Sequence, residues 1–227
     1  MDDIEDRIQS VQARIAAAAV RSGRTADDVR LLAVSKTRPA EAVQPVVEFG
    51  VRDLGENRIQ EAETKIPQVQ GDPIWHLIGA LQSNKTGKAA QLFDVVHSVD
   101  RPKLVARLDA AAAEAGRRLK IYVQVDFTRS GLADDAIELR ARHVADDADA
   151  APNLELVGLM TLPPFDPDAE TARPWFRRLR AIRDHLAAEG IDAPGLSMGM
   201  SNDFEVAIEE GATIVRVGTT IFGPRQP

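Results

Sequence analysis

The chain has 227 residues of which 44% are apolar, enough to fill the core of one large domain, so disorder is ruled out as its dominant state. Against 28 lysines and arginines stand 35 aspartates and glutamates, and the formal net charge of −7 repels phosphate backbones and anionic lipid, which argues against nucleic acid as a partner. The absence of cysteine excludes disulfide scaffolds, zinc ribbons, thiol nucleophiles and cysteine-held iron–sulfur clusters.

The amino-terminal stretch Met1-Asp2-Asp3-Ile4-Glu5-Asp6 is acidic where a signal peptide is basic, and the apolar run Ile15 to Val20 is too short to span a bilayer. We therefore expect a soluble, cytoplasmic protein that does not enter a membrane. Ile4, Ile8, Val11 and Ile15 recur at helical spacing and predict an amphipathic leading helix within residues 1–22 that packs by this stripe.

After Ser22-Gly23-Arg24 come eight short apolar runs: Leu31 to Val34, Val51 to Leu54, Ile74 to Ile78, Val95 to Val99, Ile121 to Val125, Leu154 to Leu159, Leu196 to Met198 and Thr213 to Val217. They alternate with helical stretches such as Ala40 to Phe49, Lys103 to Ala115, Asp134 to Val144 and Ala169 to Ala188, and Gly50, Gly116, Gly190 and Gly211 stand where helices end. Eight strand–helix units without a linker predict an α/β protein, a single-domain (β/α)8 TIM barrel with an extra N-terminal helix that covers its bottom or side. The barrel covers residues 30–223 and the one domain residues 1–227. A doubly wound open sheet is the competing arrangement.

In such a barrel the site forms at the carboxyl ends of the strands. The chain has only six lysines against 22 arginines, and Lys36 directly follows the first strand, where a partly desolvated amine suits imine formation. A snorkelling strand-end lysine accounts for the position equally well. Lys65, Lys103 and Lys120 read as solvated surface charges. After the seventh and eighth runs, Ser201 and Thr219 offer hydroxyls, while Gly199 and Gly218 permit close approach of backbone N–H groups to a phosphate. Asn202 and Glu205 have the spacing of a capping box that starts a helix toward that anion; Asn57 and Gln60 have the spacing of a cap for the helix after the second strand.

The segment Gly79 to Thr86 misses the phosphate-loop pattern G-x-x-x-x-G-K-[ST] only by Asn84, which leaves a phosphate-loop nucleotide hydrolase as a distant alternative. His76, His97, His143 and His185 lack the spacing of a metal site, and His76 and His97 are expected inside strands with their ring nitrogens satisfied. Arg173, Arg177, Arg178, Arg180 and Arg183, set among Trp175, Leu179, Ile182 and Leu186, predict a solvated outer helix face.

The blocks Leu32-Ala33-Val34-Ser35-Lys36-Thr37, Gly55-Glu56-Asn57-Arg58-Ile59-Gln60-Glu61 and Trp75-His76-Leu77-Ile78-Gly79 are succeeded in order by Leu81 to Lys85, His97 to Asp100, Gly158 to Thr161, Leu196 to Ser201 and Val215 to Thr219. By these blocks nearly the whole chain resembles the pyridoxal-phosphate homeostasis proteins. The resemblance implies a barrel related to the amino-terminal domain of alanine racemase, carrying pyridoxal 5′-phosphate (PLP) as an imine on Lys36. It also implies a phosphate held around Met200, Ser201, Gly218 and Thr219, with Arg216 toward the pyridine nitrogen and Asn57 near the ring. Three features depart from the family pattern: Ala80 replaces a usual histidine, Asp126 a usual asparagine, and the loop Phe127 to Arg129, within residues 127–131, is shorter than usual.

The function this implies is binding and carriage of PLP in intracellular vitamin B6 homeostasis, without strong catalytic turnover. An arginine cannot hand a proton to the ring nitrogen, which weakens the electron sink. Racemisation also needs a base on each face of the substrate carbon, and the single tyrosine, Tyr122, lies inside a strand, while eight residues after Thr219 are too few for a second domain. A weak PLP-dependent amino-acid racemase or lyase is the alternative. The expected partners are PLP and apo forms of PLP-dependent enzymes, the protein being a monomer without a metal.

Overall fold

The chain opens with helix α1 (Ile4–Arg21) and runs through β1 (Arg30–Val34), α2 (Ala40–Glu48), β2 (Asp53–Glu56), α3 (Ile59–Lys65), β3 (Ile74–Leu77), α4 (Thr86–Leu92), β4 (Val95–Val99) and α5 (Pro102–Glu114). It continues through β5 (Leu119–Gln124), α6 (Asp134–Asp149), β6 (Leu154–Met160), α7 (Arg173–Ala188), β7 (Gly195–Met200), α8 (Phe204–Glu209), β8 (Ile214–Val217) and α9 (Thr219–Phe222). This computed structural model describes residues 4–128 and 133–224, so residues 129–131 of the short loop 127–131 lie outside the described residues. Each strand pairs in parallel with its neighbours in sequence, and β8 returns to β1 with Arg216 opposite Leu32, closing the barrel as expected rather than leaving an open sheet.

The α1 stripe buries Ile8, Val11 and Ile15, joined by Ala18 and Ala19, and packs on α2, α8 and α9, which places the leading helix on the side of the barrel. Arg14 fastens it by binding Glu205 at 2.8 Å while lying over the Phe204 ring. Among the described residues no helix is long and apolar enough to cross a membrane.

Most element boundaries differ from the sequence expectation by a residue or two, and three of the differences have a clear physical reason. The second strand starts at Asp53 rather than Val51, because the Val51 N–H turns back to the Val46 carbonyl and closes α2 behind Gly50, whose φ of 102° suits glycine alone at low cost. The α6 stripe continues through Ala145 and Ala148 to Asp149, alanines extending the apolar face beyond Val144. The stretch from Ala169 divides into a 3₁₀ turn, Ala169–Ala172, and α7, because Pro174 lacks an N–H and fits best in a helix's first turn, where that N–H has no intrahelical partner.

The core has two parts. Most buried apolar residues lie in one cluster that joins strands to helices. Leu32, Val95, Tyr122, Met160 and Ile214 form a second cluster, and since five different strands supply them they meet inside the barrel.

Candidate functional site

A cavity of about 430 Å³ opens at the carboxyl ends of the strands, and its lining includes Lys36, Asn57, Met200, Ser201, Arg216, Gly218 and Thr219. All seven residues singled out from the sequence therefore share one space. Val34 and Ile78 supply apolar wall, and Leu162 and Phe165 from the loop after β6 stand at its rim, Phe165 being 79% exposed.

Lys36 sits in a turn held from both flanks. Just before it, the Ser35 carbonyl accepts a hydrogen bond from Lys65 Nζ at 2.8 Å, and the Ser35 hydroxyl donates to Glu56 Oε1 at 2.6 Å. Just after it, the Thr37 N–H donates to Glu61, with Thr37 at φ 63°. Lys65 also pairs with Glu56 at 2.6 Å and Glu61 at 2.9 Å. It is 4% exposed, so the reading of Lys65 as a solvated charge is wrong, whereas Lys103 and Lys120 are exposed as expected. The physical reason is tertiary: α3 folds back beneath the β1–α2 turn, and the Lys65 ammonium replaces lost water with three oxygens. Burial raises the pKa of Glu56 against the opposing pull of Lys65 and Ser35, and Glu56 Oε2 is left without a hydrogen-bond partner.

At the far side of the cavity Ser201 Oγ accepts the Gly218 N–H at 3.2 Å, which leaves the hydroxyl proton to donate elsewhere. The N–H groups that open α9, at Thr219 and Thr220, have no intrahelical acceptor. The expected capping box does not form. The helix starts at Phe204, Asn202 Nδ2 donates instead to the Asp166 carbonyl at 3.0 Å, and Asp203 Oδ1 takes the Met200 N–H at 2.6 Å. Gly199 also has a different purpose from the one expected: at φ 90°, a Cβ there would lie 2.6 Å from Ala207 Cβ, so its missing side chain lets α8 pack on β7. Asn57 does not cap α3 either, since Arg58 holds the cap position without a side-chain bond. Burial raises the pKa of Asp203, which the Met200 N–H and the Arg216 charge partly oppose.

Arg216 is buried and donates from Nη1 to Ser197 Oγ at 2.6 Å and from Nη2 to the Thr161 carbonyl at 2.8 Å. Burial pushes its pKa down to about 10, still cationic at neutral pH. Behind it, His97 Nδ1 lies 2.9 Å from Ser197 Oγ, His97 Nε2 lies 2.8 Å from His76 Nδ1, and His76 Nε2 lies 2.7 Å from Asp53 Oδ1. The ring nitrogens of His76 and His97 are thus satisfied inside strands as expected. No sequence signal marks Asp53, because it begins its strand, at the opposite end from the one where barrel sites form. Tyr122 stacks on His97 with ring centroids 4.4 Å apart, and burial pushes its hydroxyl up to about 12.

The remaining sequence signals resolve away from this cavity. The Gly79 to Thr86 segment does not line it; a Cβ at Gly79 would lie 2.1 Å from the Asn57 carbonyl oxygen, and Thr86 Oγ1 donates to the Ser83 carbonyl. Ala80 is exposed, and Asp126 faces a local turn, accepting from Thr128 N and Oγ1 at 2.9 and 2.7 Å. Among the described residues no group of three or more histidine or acidic side chains could hold a metal. The arginine cluster is only partly solvated. Arg173 reaches Glu209 and Glu210 at 2.8 Å each, joining α7 to α8, and Arg178 stacks over Phe127 and Trp175.

Residues 7–226 match the family of the alanine racemase N-terminal domain, which sets the class of barrel. Within that class the chain belongs to the pyridoxal phosphate homeostasis proteins. It is 44% identical over 232 residues to the member from Pseudomonas aeruginosa, covering 99% of this chain and 97% of that one. It is 38% identical over 227 residues to the Aquifex aeolicus member, covering 97% and 98%. Among solved structures, PipY of Synechococcus elongatus PCC7942, with PLP bound, matches with a TM-score of 0.83 and 35% identity, covering 97% of this chain and all of that one.

Proposed function

We propose that this protein is a carrier of PLP, acting as one domain and one chain in vitamin B6 homeostasis, with Lys36 as the covalent attachment point. The observation that carries the proposal is the single cavity in which one amine, one guanidinium and a hydroxyl- and N–H-bearing corner face apolar walls. That donor set fits the cofactor, and the cavity falls within the range usual for small-molecule sites. PLP supplies an aldehyde that a lysine amine captures and a ring that withdraws electrons in proportion to the protonation of its nitrogen. Ser201, Gly218 and Thr219 would hold the phosphate, Arg216 would face the ring nitrogen, and Asn57 and Met200 would border the ring. Membership of the family and the PLP-bound PipY structure support the same reading.

Two features of the chain favour carriage over catalysis. Arg216 stays protonated at neutral pH, so it presents a cation to the ring nitrogen and gives it no proton. Tyr122 is walled inside the barrel against His97 and does not line the cavity, so it presents no base to a bound amine. The binding unit we propose is a monomer, and the exposed rim at Phe165 and Thr219 suits delivery to apo forms of PLP-dependent enzymes.

The test is the absorbance spectrum of the PLP-loaded protein before and after borohydride. Lys36→Ala should abolish the visible band and the borohydride-reducible adduct without unfolding the protein. A reducible band retained in that variant would assign the attachment to another lysine.

A further inference from the structure

The buried Arg216 guanidinium donates to a hydroxyl and a carbonyl and forms no ion pair among the described residues, Asp203 acting on it only at longer range through its charge. What it has is a run of hydrogen bonds that crosses the barrel interior, through Ser197 on β7, His97 on β4 and His76 on β3, to Asp53 on β2. Asp53 is itself bound by Arg30 at the start of β1. Five strands contribute from Arg216 to Asp53 and Arg30 adds a sixth, so the line leads from the cavity to the amino-terminal ends of the strands.

The chemistry of the two ends fixes the direction of every bond. A guanidinium only donates, so Ser197 Oγ accepts from Arg216, and the acceptor within reach of its own proton is His97 Nδ1. His97 therefore carries its proton on Nε2 and gives it to His76 Nδ1. His76 in turn carries its proton on Nε2 and gives it to Asp53, a carboxylate that only accepts. Starting from Asp53 leads to the same order. With both rings neutral every donor meets one acceptor; a proton added to either ring leaves one donor of the run without an acceptor. Burial lowers the pKa of both rings, His97 the more strongly, and although burial alone would raise Asp53, His76 and Arg30 hold it below the usual carboxylate range.

We propose that Asp53 is a positioning residue for Arg216, acting through His76, His97 and Ser197 to fix the guanidinium at the cavity wall. Thr161 holds one amino group of the guanidinium and Ser197 the other, and the Ser197 hydroxyl proton has an acceptor, His97 Nδ1, that fixes its rotation only while that nitrogen carries no proton. Asp53 sets that tautomer from two rings away. Its consequence for PLP rests on the function proposed above; its consequence for the two rings and the guanidinium does not.

The experiment uses the PLP-free protein with nitrogen-15 in histidine and arginine, with PLP titrated in afterwards. In the wild type at neutral pH both rings should be neutral and protonated on Nε2, and Arg216 should give resolved, slowly exchanging Nη signals. Asp53→Leu removes the terminal acceptor. His76 should then shift its proton to Nδ1, His97 should do the same, and the Arg216 Nη signals should average. Asp53→Asn keeps an acceptor oxygen and should restore the wild-type tautomers, a rescue that loss of local packing does not predict. PLP affinity should fall about tenfold in Asp53→Leu, the scale for losing a group that orients a ligand-holding residue, and stay near the wild type in Asp53→Asn. A cationic ring or an Nδ1-protonated His97 in the wild type overturns the proposal. So does an unchanged His97 tautomer with unaltered Arg216 signals in Asp53→Leu. If Asp53→Leu does not fold, the wild-type tautomers and the Asp53→Asn spectrum decide. A wild-type chain that shows the ring order but binds no PLP refutes the carrier reading and leaves the positioning intact.

Discussion

Lys65 Nζ donates to the Ser35 carbonyl at 2.8 Å, so a buried ammonium from α3 grips the backbone one residue before Lys36. The same ammonium neutralises Glu56, which is fully buried and has one oxygen without a hydrogen-bond partner. Removing one member of a buried pair leaves an uncompensated charge, which costs about 3–5 kcal/mol, whereas replacing both members with apolar residues is often close to neutral. Lys65→Met should therefore destabilise strongly in urea unfolding at neutral pH, and Lys65→Met with Glu56→Leu should recover most of the loss. A single-variant loss below about 1 kcal/mol, the scale of an exposed pair, would show that the clasp contributes little.

The phosphate end should depend on hydroxyls rather than on a long helix, since α8 and α9 have six and four residues. The Ser201 hydroxyl proton is free to donate because its oxygen already accepts from Gly218. Replacing Ser201 and Thr219 together with alanine should weaken PLP binding by about 1–3 kcal/mol, the scale for hydrogen bonds to a charged group. Equilibrium dialysis measures it, and unchanged affinity would move the phosphate elsewhere.

Strand ends and composition make Lys36 a candidate, because a strand-end lysine in a chain with six lysines and 22 arginines is unusual, though a snorkelling side chain fits that position as well; the barrel itself is implied by eight alternations. Lys65 is not legible in the same way. It closes a short helix with Glu61 one turn earlier, a pattern that reads as an exposed i,i+4 pair, and only the placement of α3 under the β1–α2 turn buries it. Asp53 is hidden for another reason: its link to Arg216 needs the register that sets Gly55 beside His76 and His76 beside Val95, which no local pattern encodes. The Asn202 capping box fails because Asp203 wins the competition for the turn by taking the Met200 N–H.

His76 and His97 make the fold sensitive to acid. Burial lowers both pKa values, so the folded protein keeps both rings neutral while the unfolded chain takes up protons near pH 6.5. Their contribution to stability is complete above that pH and is lost as pH falls through it toward the folded values. Each ring should cost up to about 1.4 kcal/mol per pH unit below that point. His185, raised by its hydrogen bond to Glu138 on the surface, acts in the opposite direction, so the informative quantity is a difference. Urea unfolding of the wild type and of His97→Phe at pH 7.5 and 5.5 should show a shallower loss in the variant, and equal slopes would mean that the His97 ring titrates normally in the fold.

The proposed function is tested most sharply by separating carriage from racemisation. A racemase must remove a proton from one face of a carbon and return one to the other, and here Tyr122, with its hydroxyl pushed up to about 12, is stacked on His97 inside the barrel. A positioned general acid or base is worth about 10² to 10⁴ in rate, and Arg216, cationic at neutral pH, would add a second deficit at the ring nitrogen it is proposed to face. Both deficits bear on the same proton removal, while exchange of an incoming amine for Lys36 needs no such removal. Incubating the PLP-loaded protein with L-alanine should therefore change the visible spectrum and yield no D-alanine above the level seen with free PLP. Formation of D-alanine at enzyme-like rates, abolished by Lys36→Ala, would overturn the carrier reading in favour of a racemase.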